Sequence, residues 1–160
     1  MNVPLKVHAV VSDPNTDYQI VFLKDEKGAE FLPIWVGMTE GNAIRFAIEG
    51  IAPQRPLTHD LLKDLLNHLN VQLEKVVIHD LNNNTYFATL YLVRRASPDE
   101  GGNLLLDLTV DARPSDAIAL ALRIGVPIYA AEEVLQKKSP DNREDWLERL
   151  KPKDFGSYNA

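Results

Sequence analysis

Residues 111–122 read DARPSDAIALAL, and this stretch constrains the fold more than any other part of the chain. Its second half, from Ala117 to Leu122, is wholly apolar, and a helix that is apolar on all sides is expected to be buried. Its first half is polar and contains Pro114, a residue type that favours the first turn of a helix. Charged groups held against a protein interior need partners or a ligand. The stretch therefore predicts a buried helix that ends before Gly125. Its N-terminal start is polar, and such a polar helix start is called here an entrance.

A second entrance of similar build occurs earlier, where residues 55–60 read RPLTHD. Thr58 is predicted to cap this helix, and the negative charge of Asp60 suits the positive end of the helix dipole. Leucines at helical spacing follow, and they are predicted to form the buried face of the helix. These are Leu61, Leu62, Leu65, Leu66 and Leu69. Two entrances that each begin with Arg-Pro are the main indication of a functional site.

The composition bounds the class of protein. The 160 residues suit one domain, and a hydrophobic fraction of 45% with 25% charged residues is ordinary for a globular protein. Cysteine is absent, which excludes disulfides, thiol catalysis and cysteine-ligated zinc. The apolar runs are too short for a membrane span and the N-terminal residues do not resemble a signal peptide, so a cytoplasmic location is expected.

The net charge of -6 argues against a protein that binds nucleic acid mainly through a basic surface. It leaves open a metal-dependent enzyme acting on phosphodiesters, because the site of such an enzyme is itself acidic.

Alternating and β-branched segments separated by turn residues predict an α+β fold with a mixed, mainly antiparallel sheet, several hairpins and three main helices. Thr39 is predicted to cap the first helix, and Pro33 indicates that the third strand lies at an edge or contains a bulge. The predicted strands are Leu5–Val11, Tyr18–Leu23, Ala29–Val36, Val71–Leu81, Thr85–Arg94, Leu104–Val110 and Pro127–Ala130. The predicted helices are Glu40–Glu49, the segment that follows Thr58, Ala117–Ile124 and a short one at Glu132–Lys138.

The composition changes after residue 138. Residues 1–138 are predicted to form the domain, and residues 139–160 a charged tail with a short amphipathic helix at Arg143–Leu150.

Three motifs, in this order, resemble the bifunctional nuclease domain family. They are LPIWVG at 32–37 followed by Glu40, RPLTHDL at 55–61, and DARPSDAIALA at 111–121. The resemblance covers roughly Val3 to Glu133. It implies a compact α+β protein, nuclease activity on both RNA and DNA, and assembly into a homodimer or larger homo-oligomer.

Phosphodiester hydrolysis needs an activated water, stabilisation of charge on phosphorus and protonation of the leaving oxygen. Mg²⁺ or Mn²⁺ held by carboxylates can meet the first two needs. A histidine can supply or accept the proton, and arginines with free helix N–H groups can bind phosphate. The predicted catalytic residues are His59, Asp60, Asp111 and Asp116. The predicted phosphate-binding residues are Arg55, Arg113, Thr58 and Ser115, and the predicted metal ligands are Asp111, Asp116 and Glu40.

Structural roles compete with each of these assignments. Arg113 with Asp111 or Asp116 can form an internal ion pair, and Thr58 with Asp60 can serve only to start a helix. Two functions therefore remain from the sequence: a metal-assisted nuclease of low sequence specificity, and a non-catalytic homo-oligomeric binding or regulatory module. A phosphate or nucleotide binder that uses both Arg-Pro entrances is a weaker third, because no glycine-rich phosphate loop supports it.

Overall fold

The computed structural model describes residues 1–102 and 105–137. The described residues contain seven strands, three longer α-helices, one short α-helix and a 3₁₀ turn at Pro98–Glu100. The strands and α-helices are β1 (Asn2–Ser12), β2 (Gln19–Lys24), β3 (Phe31–Val36), α1 (Met38–Glu49), α2 (Thr58–His68), β4 (Val71–Asn82), β5 (Thr85–Arg95), β6 (Leu105–Ala112), α3 (Pro114–Ile124), β7 (Ile128–Ala131) and α4 (Glu132–Lys137). No helix in the described part of the chain is long and apolar enough to cross a membrane.

The strands form one sheet in the order β3-β2-β1-β7-β4-β5-β6. All neighbouring strands are antiparallel except β4 and β7, which run parallel. The predicted α+β class with a mixed, mainly antiparallel sheet is confirmed. The hairpin between β4 and β5 turns at Asn83 and Asn84, which adopt the positive φ angles that asparagine tolerates.

Helix α3 lies at the centre of the main core, as its sequence predicts. Residues Ala117–Ala121 are at most 3% exposed, and α1 and α2 both pack against this helix. Its small alanine side chains allow close approach from several sides. Gly125 ends the helix in the left-handed conformation at φ 86°, where glycine carries no Cβ penalty.

The predicted N-caps of α1 and α2 are wrong. Helix α1 begins at Met38 after Gly37, so Thr39 lies inside its first turn. Helix α2 begins with Thr58 itself, and Leu57 occupies the cap position. The Asp60 side chain compensates, because its Oδ2 accepts a hydrogen bond from the Leu57 backbone N–H at 2.9 Å.

The predicted buried face of α2 is also wrong. Only Leu66 packs against the core, whereas Leu61, Leu62, Leu65 and Leu69 are between 41% and 62% exposed. The inward positions belong instead to His59, which is buried, and Lys63, whose Nζ donates to the Arg123 carbonyl of α3 at 3.0 Å. These polar contacts with α3 fix the rotation of α2 about its axis, and this rotation leaves the four leucines exposed to solvent.

The two edge strands of the sheet, β3 and β6, differ in composition and in exposure. Strand β3 carries Pro33, as predicted for an edge. Strand β6 forms the opposite edge, and its residues are exposed from Leu105 to Asp111. The predicted tail at 139–160, together with Leu104 and Lys138, lies outside the described residues.

Candidate functional site

The two Arg-Pro entrances meet in space. His59, in the first turn of α2, has its Nε2 2.9 Å from Oδ1 of Asp116, in the first turn of α3. The two residues are 57 positions apart in the chain. They meet because α2 packs across α3. The motifs that the sequence singled out separately therefore form one cluster.

Arg113 extends this cluster to α1. Its Nε donates to Oδ2 of Asp116 at 2.8 Å, and its Nη2 lies 3.1 Å from Oε1 of Glu40. Glu40, Arg113, Asp116 and His59 thus form a continuous chain of contacts, called here the four-residue network. Its members come from the first turns of α1 and α2 and from the start of α3. The positive ends of three helix dipoles therefore lie close to the network.

The network is buried at one end and exposed at the other. His59 is 7% exposed, whereas the Arg113 side chain is 65% exposed. Burial tends to raise the pKa of Asp116, but the hydrogen bonds and charges of Arg113 and His59 outweigh it and hold that pKa below its ordinary value of 3.8. The hydrogen bond and charge of Asp116, with a further contribution from Glu40, raise the pKa of Arg113. Asp116 and Arg113 are consequently both charged at neutral pH.

Asp60 belongs to a neighbouring ion pair rather than to the network. Its Oδ1 accepts a hydrogen bond from Nε of Arg123 at 2.8 Å, and Arg123 also donates through Nη1 to the Ala119 carbonyl at 3.0 Å. Burial tends to raise the pKa of Asp60, but the hydrogen bonds from the Leu57 N–H and Arg123, with the charge of Arg123, outweigh burial. The pKa of Asp60 therefore lies below its ordinary value. Both Asp60 oxygens are engaged within the protein. Sequence reasoning missed Arg123, whose position in the last turn of a buried helix, just before Gly125, was the available signal.

Asp111 is not brought to the network. In the antiparallel pairing of β5 and β6, Ala88 lies opposite Ala112 and Thr89 lies opposite Asp111. Ala88 is fully buried in the main core, so Ala112 faces that core and the preceding residue faces the other side of the sheet. The predicted convergence of Asp111 with Asp116 is therefore not observed.

The remaining predicted phosphate-binding residues differ in accessibility. Ser115 is buried in the first turn of α3, whereas Arg55 and Thr58 are exposed near the start of α2.

The carboxylates do not form a ready metal site. Glu40 and Asp116 share a neighbourhood, but the guanidinium of Arg113 lies between them and pairs with both. Among residues 1–102 and 105–137, no three His, Asp or Glu side chains are grouped so that they could hold a metal ion. The side chains in this arrangement do not fit a resident divalent cation unless Arg113 moves away.

An open cleft of about 570 Å³ lies beside the Asp60–Arg123 pair. It is bounded by the C-terminal end of α1, the segment at 50–56 and the last turn of α3. Its lining is mainly apolar, with Gln54, Asp60 and Arg123 as the polar side chains. No local sequence pattern indicates this cleft, because its walls come from distant segments.

The fold and the site define an α+β protein in which the starts of three helices converge on one network of charged side chains. Comparison with known families identifies the family of this chain. The model of the bifunctional nuclease domain matches residues 21–143, and the chain belongs to that family.

Bacterial and plant proteins are among the relatives of this chain. An uncharacterised protein of Mycobacterium tuberculosis is 39% identical over 144 residues, covering 82% of this chain and 80% of the relative. Bifunctional nuclease 1 of Oryza sativa subsp. japonica is 29% identical over 118 residues, covering 73% of this chain and 34% of the relative. Bifunctional nuclease 2 of the same plant is 30% identical over 109 residues, covering 68% and 32% respectively. The chain thus spans about a third of the length of these plant relatives.

Proposed function

We propose that this protein hydrolyses phosphodiester bonds in RNA and DNA with low sequence specificity, and that the four-residue network is its active site. One observation carries the assignment to this site: His59 and Arg113 bind the two oxygens of the same carboxylate, that of Asp116. Membership of the nuclease family supports the class of reaction. Because the plant relatives are much longer, the substrates of this chain have to be established directly.

Arg113 is the residue suited to bind the scissile phosphate. Its guanidinium is exposed at the start of α3, and a guanidinium can form paired hydrogen bonds to phosphate oxygens. The backbone N–H groups in the first turn of α3 add donors where the helix dipole favours an anion. Asp116 and Glu40 orient the guanidinium in advance, which reduces the ordering that substrate binding requires.

His59 is suited to move the proton. An ionised carboxylate that holds one imidazole nitrogen fixes the orientation of the ring and stabilises the imidazolium that forms during the reaction. With Nε2 held by Asp116, Nδ1 is the nitrogen left to accept a proton from the attacking group or to return one to the leaving oxygen. Asp116 acts in this scheme as the positioning residue.

Dependence on Mg²⁺ or Mn²⁺ stays a prediction, and no step of this scheme passes through a metal. A cytoplasmic location also stays a prediction.

Cleavage of end-labelled single-stranded RNA and DNA tests the proposal, in Mg²⁺, in Mn²⁺ and in EDTA. His59→Gln should reduce the cleavage rate by about 100-fold or more, the usual contribution of a general acid or base. His68→Gln is the matched control, because His68 lies exposed at the other end of α2, where Nδ1 is 2.7 Å from the Asp64 carbonyl. Wild-type protein that cleaves neither substrate in any of the three conditions would overturn the proposal.

A non-catalytic homo-oligomeric module is the second candidate function. It is favoured by the four leucines that α2 leaves exposed and by the burial of His59. A homo-oligomer that binds a partner but lacks cleavage activity would support this alternative over the nuclease.

A further inference from the structure

The segment that joins α1 to α2 forms the outer wall of the cleft and is fixed at both ends. At one end, the backbone N–H of Ile51 donates to the Phe46 carbonyl at 2.9 Å, which closes the last turn of α1. At the other end, the Asp60 carboxylate holds the Leu57 N–H. Two prolines between these points restrict the backbone further. The cleft is therefore formed before any ligand binds.

The chemistry of the cleft favours an uncharged ligand. Among the described residues that line it, only Asp60 and Arg123 carry charge, and they pair with each other at 2.8 Å. A phosphate would find no cation there that lacks a carboxylate partner, whereas Arg113 offers an exposed guanidinium outside the cleft. The rest of the lining is mainly apolar. A flat, largely apolar group with a few hydrogen-bonding atoms suits such a cleft.

Arg123 keeps a hydrogen-bond donor for this ligand. Its side chain is only 8% exposed, Nε binds Asp60 and Nη1 binds the Ala119 carbonyl. No residue in the described part of the chain accepts a hydrogen bond from Nη2. A donor left without an acceptor in so buried a side chain is costly, and an acceptor atom on a ligand would remove that cost. Gln54, exposed on the outer wall, adds an amide that can both donate and accept.

The cleft adjoins the four-residue network. Asp60 follows His59 in the first turn of α2. Their partners on α3, Arg123 and Asp116, are two helical turns apart, or roughly 10 Å along the axis. A stacked strand of nucleic acid covers this distance with about three nucleotides, at ~3.4 Å each. A strand whose phosphate binds Arg113 can therefore reach the cleft with a nearby base.

We propose that the cleft binds one unstacked base of a single-stranded nucleic acid, close to the nucleotide whose phosphate binds Arg113. The ring of Phe46 stacks on the base, a contact that every base can make. Nη2 of Arg123 and the amide of Gln54 bind the polar edge of the base. The inference rests on the nuclease proposal and adds its substrate class, because a base in a duplex has to leave its stack and its partner before it can enter.

The test compares two labelled strands of about eight nucleotides, a length within the usual range of single-strand binding sites. One carries ordinary bases, and the other has the same backbone but is abasic at every position. Fluorescence anisotropy measures the Kd of each for protein that carries His59→Gln, so that the strand stays intact. The strand with bases should bind about tenfold more tightly, which is the size of one base–aromatic contact, and more tightly than a duplex of the same sequence.

Variants of the lining assign this ratio of Kd values to the cleft. Phe46→Leu removes the aromatic ring but keeps an apolar side chain, and it should lower the ratio to about threefold or less. Gln54→Ala, at an exposed position, should also lower it and covers the case in which Phe46→Leu fails to fold. Phe87→Leu is the matched control and should leave the ratio unchanged. Phe87 is exposed on β5, and its neighbour Ala88 faces the main core, so Phe87 faces the side of the sheet away from the helices.

The base site and the nuclease proposal can fail separately. Equal Kd values for the two strands would overturn the base site, as would a ratio that both cleft variants leave intact. If wild-type protein nevertheless cleaves RNA or DNA, the nuclease proposal stands alone. If the ratio depends on Phe46 or Gln54 but wild-type protein cleaves neither substrate, the cleft binds a base without the proposed reaction.

Discussion

At the scale of single residues, Asp111 and Asp116 show how far a motif determines geometry. Both come from DARPSD, yet Asp116 holds His59 and Arg113 while Asp111 faces the other side of the sheet. The sequence predicted that the motif carries a site. It did not show the direction of Asp111, because that depends on the register that sets Ala112 opposite Ala88.

Asp116 is expected to make the stability of the fold depend on pH. Burial tends to raise its pKa, but Arg113 and His59 outweigh burial and hold the pKa below 3.8 in the folded protein. An unfolded chain then binds this proton more readily, so the stabilisation is fully present above about pH 5 and is lost as the pH falls through the lowered pKa. Urea unfolding from pH 7 down to about pH 2.5 should show a smaller loss of stability in Asp116→Asn than in wild type. Identical pH dependence in both proteins would contradict the proposed pairing of this carboxylate.

Arg113 is expected to act through its planar fork and not only through its charge. Arg113→Lys keeps the charge but cannot bind Glu40 and Asp116 with separate guanidinium nitrogens. Both Arg113→Lys and Arg113→Gln should weaken binding of single-stranded substrate, seen as a rise in KM of roughly tenfold, or about 1.4 kcal/mol. Arg95→Gln, at an exposed arginine away from the network, should leave KM unchanged. Full rescue by lysine would show that charge alone is needed.

At the scale of elements, periodicity predicted which residues share a face but not what covers that face. The hairpins, the buried α3 and the helix ends at Glu49 and Ile124 were predicted, because each depends on local chemistry. The leucines of α2 were assigned to the core and are exposed. An apolar stripe has the same spacing whether its own core or another surface covers it. The polar contacts of α2 with α3, which decided its rotation, could not be derived from local pattern.

Helix α1 is expected to tolerate no side chain at Gly41. A Cβ there would collide with the amide oxygen of Gln19, a buried residue on β2. Gly41→Ala should destabilise the protein by about 1–3 kcal/mol through this overpacking, although alanine is the better helix former. Urea unfolding of the single variant and of Gly41→Ala with Gln19→Ala provides the measurement. The double variant should recover part of the loss, and a Gly41→Ala protein as stable as wild type would contradict the close packing of α1 on β2.

At the scale of the whole molecule, the fold class followed from the sequence but the topology did not. Strand β7 has four residues and inserts between β1 and β4, parallel to β4, and no local pattern indicates that position. The convergence of α2 and α3 at His59 and Asp116 likewise depends on packing between distant segments. The structure brings members of all three motifs that resemble the bifunctional nucleases into one network.

The network centred on Asp116 is proposed to carry the nuclease activity. The most direct test compares Asp116→Asn with Asp111→Asn in cleavage of labelled single-stranded RNA and DNA, after identical purification. The two variants remove the same charge within one motif, but only Asp116 contacts His59 and Arg113. Asp116→Asn should lower the cleavage rate by about 100-fold or more, on the scale of acid–base catalysis, whereas Asp111→Asn should keep near wild-type activity. Equal losses in the two variants, or full activity of Asp116→Asn, would contradict it.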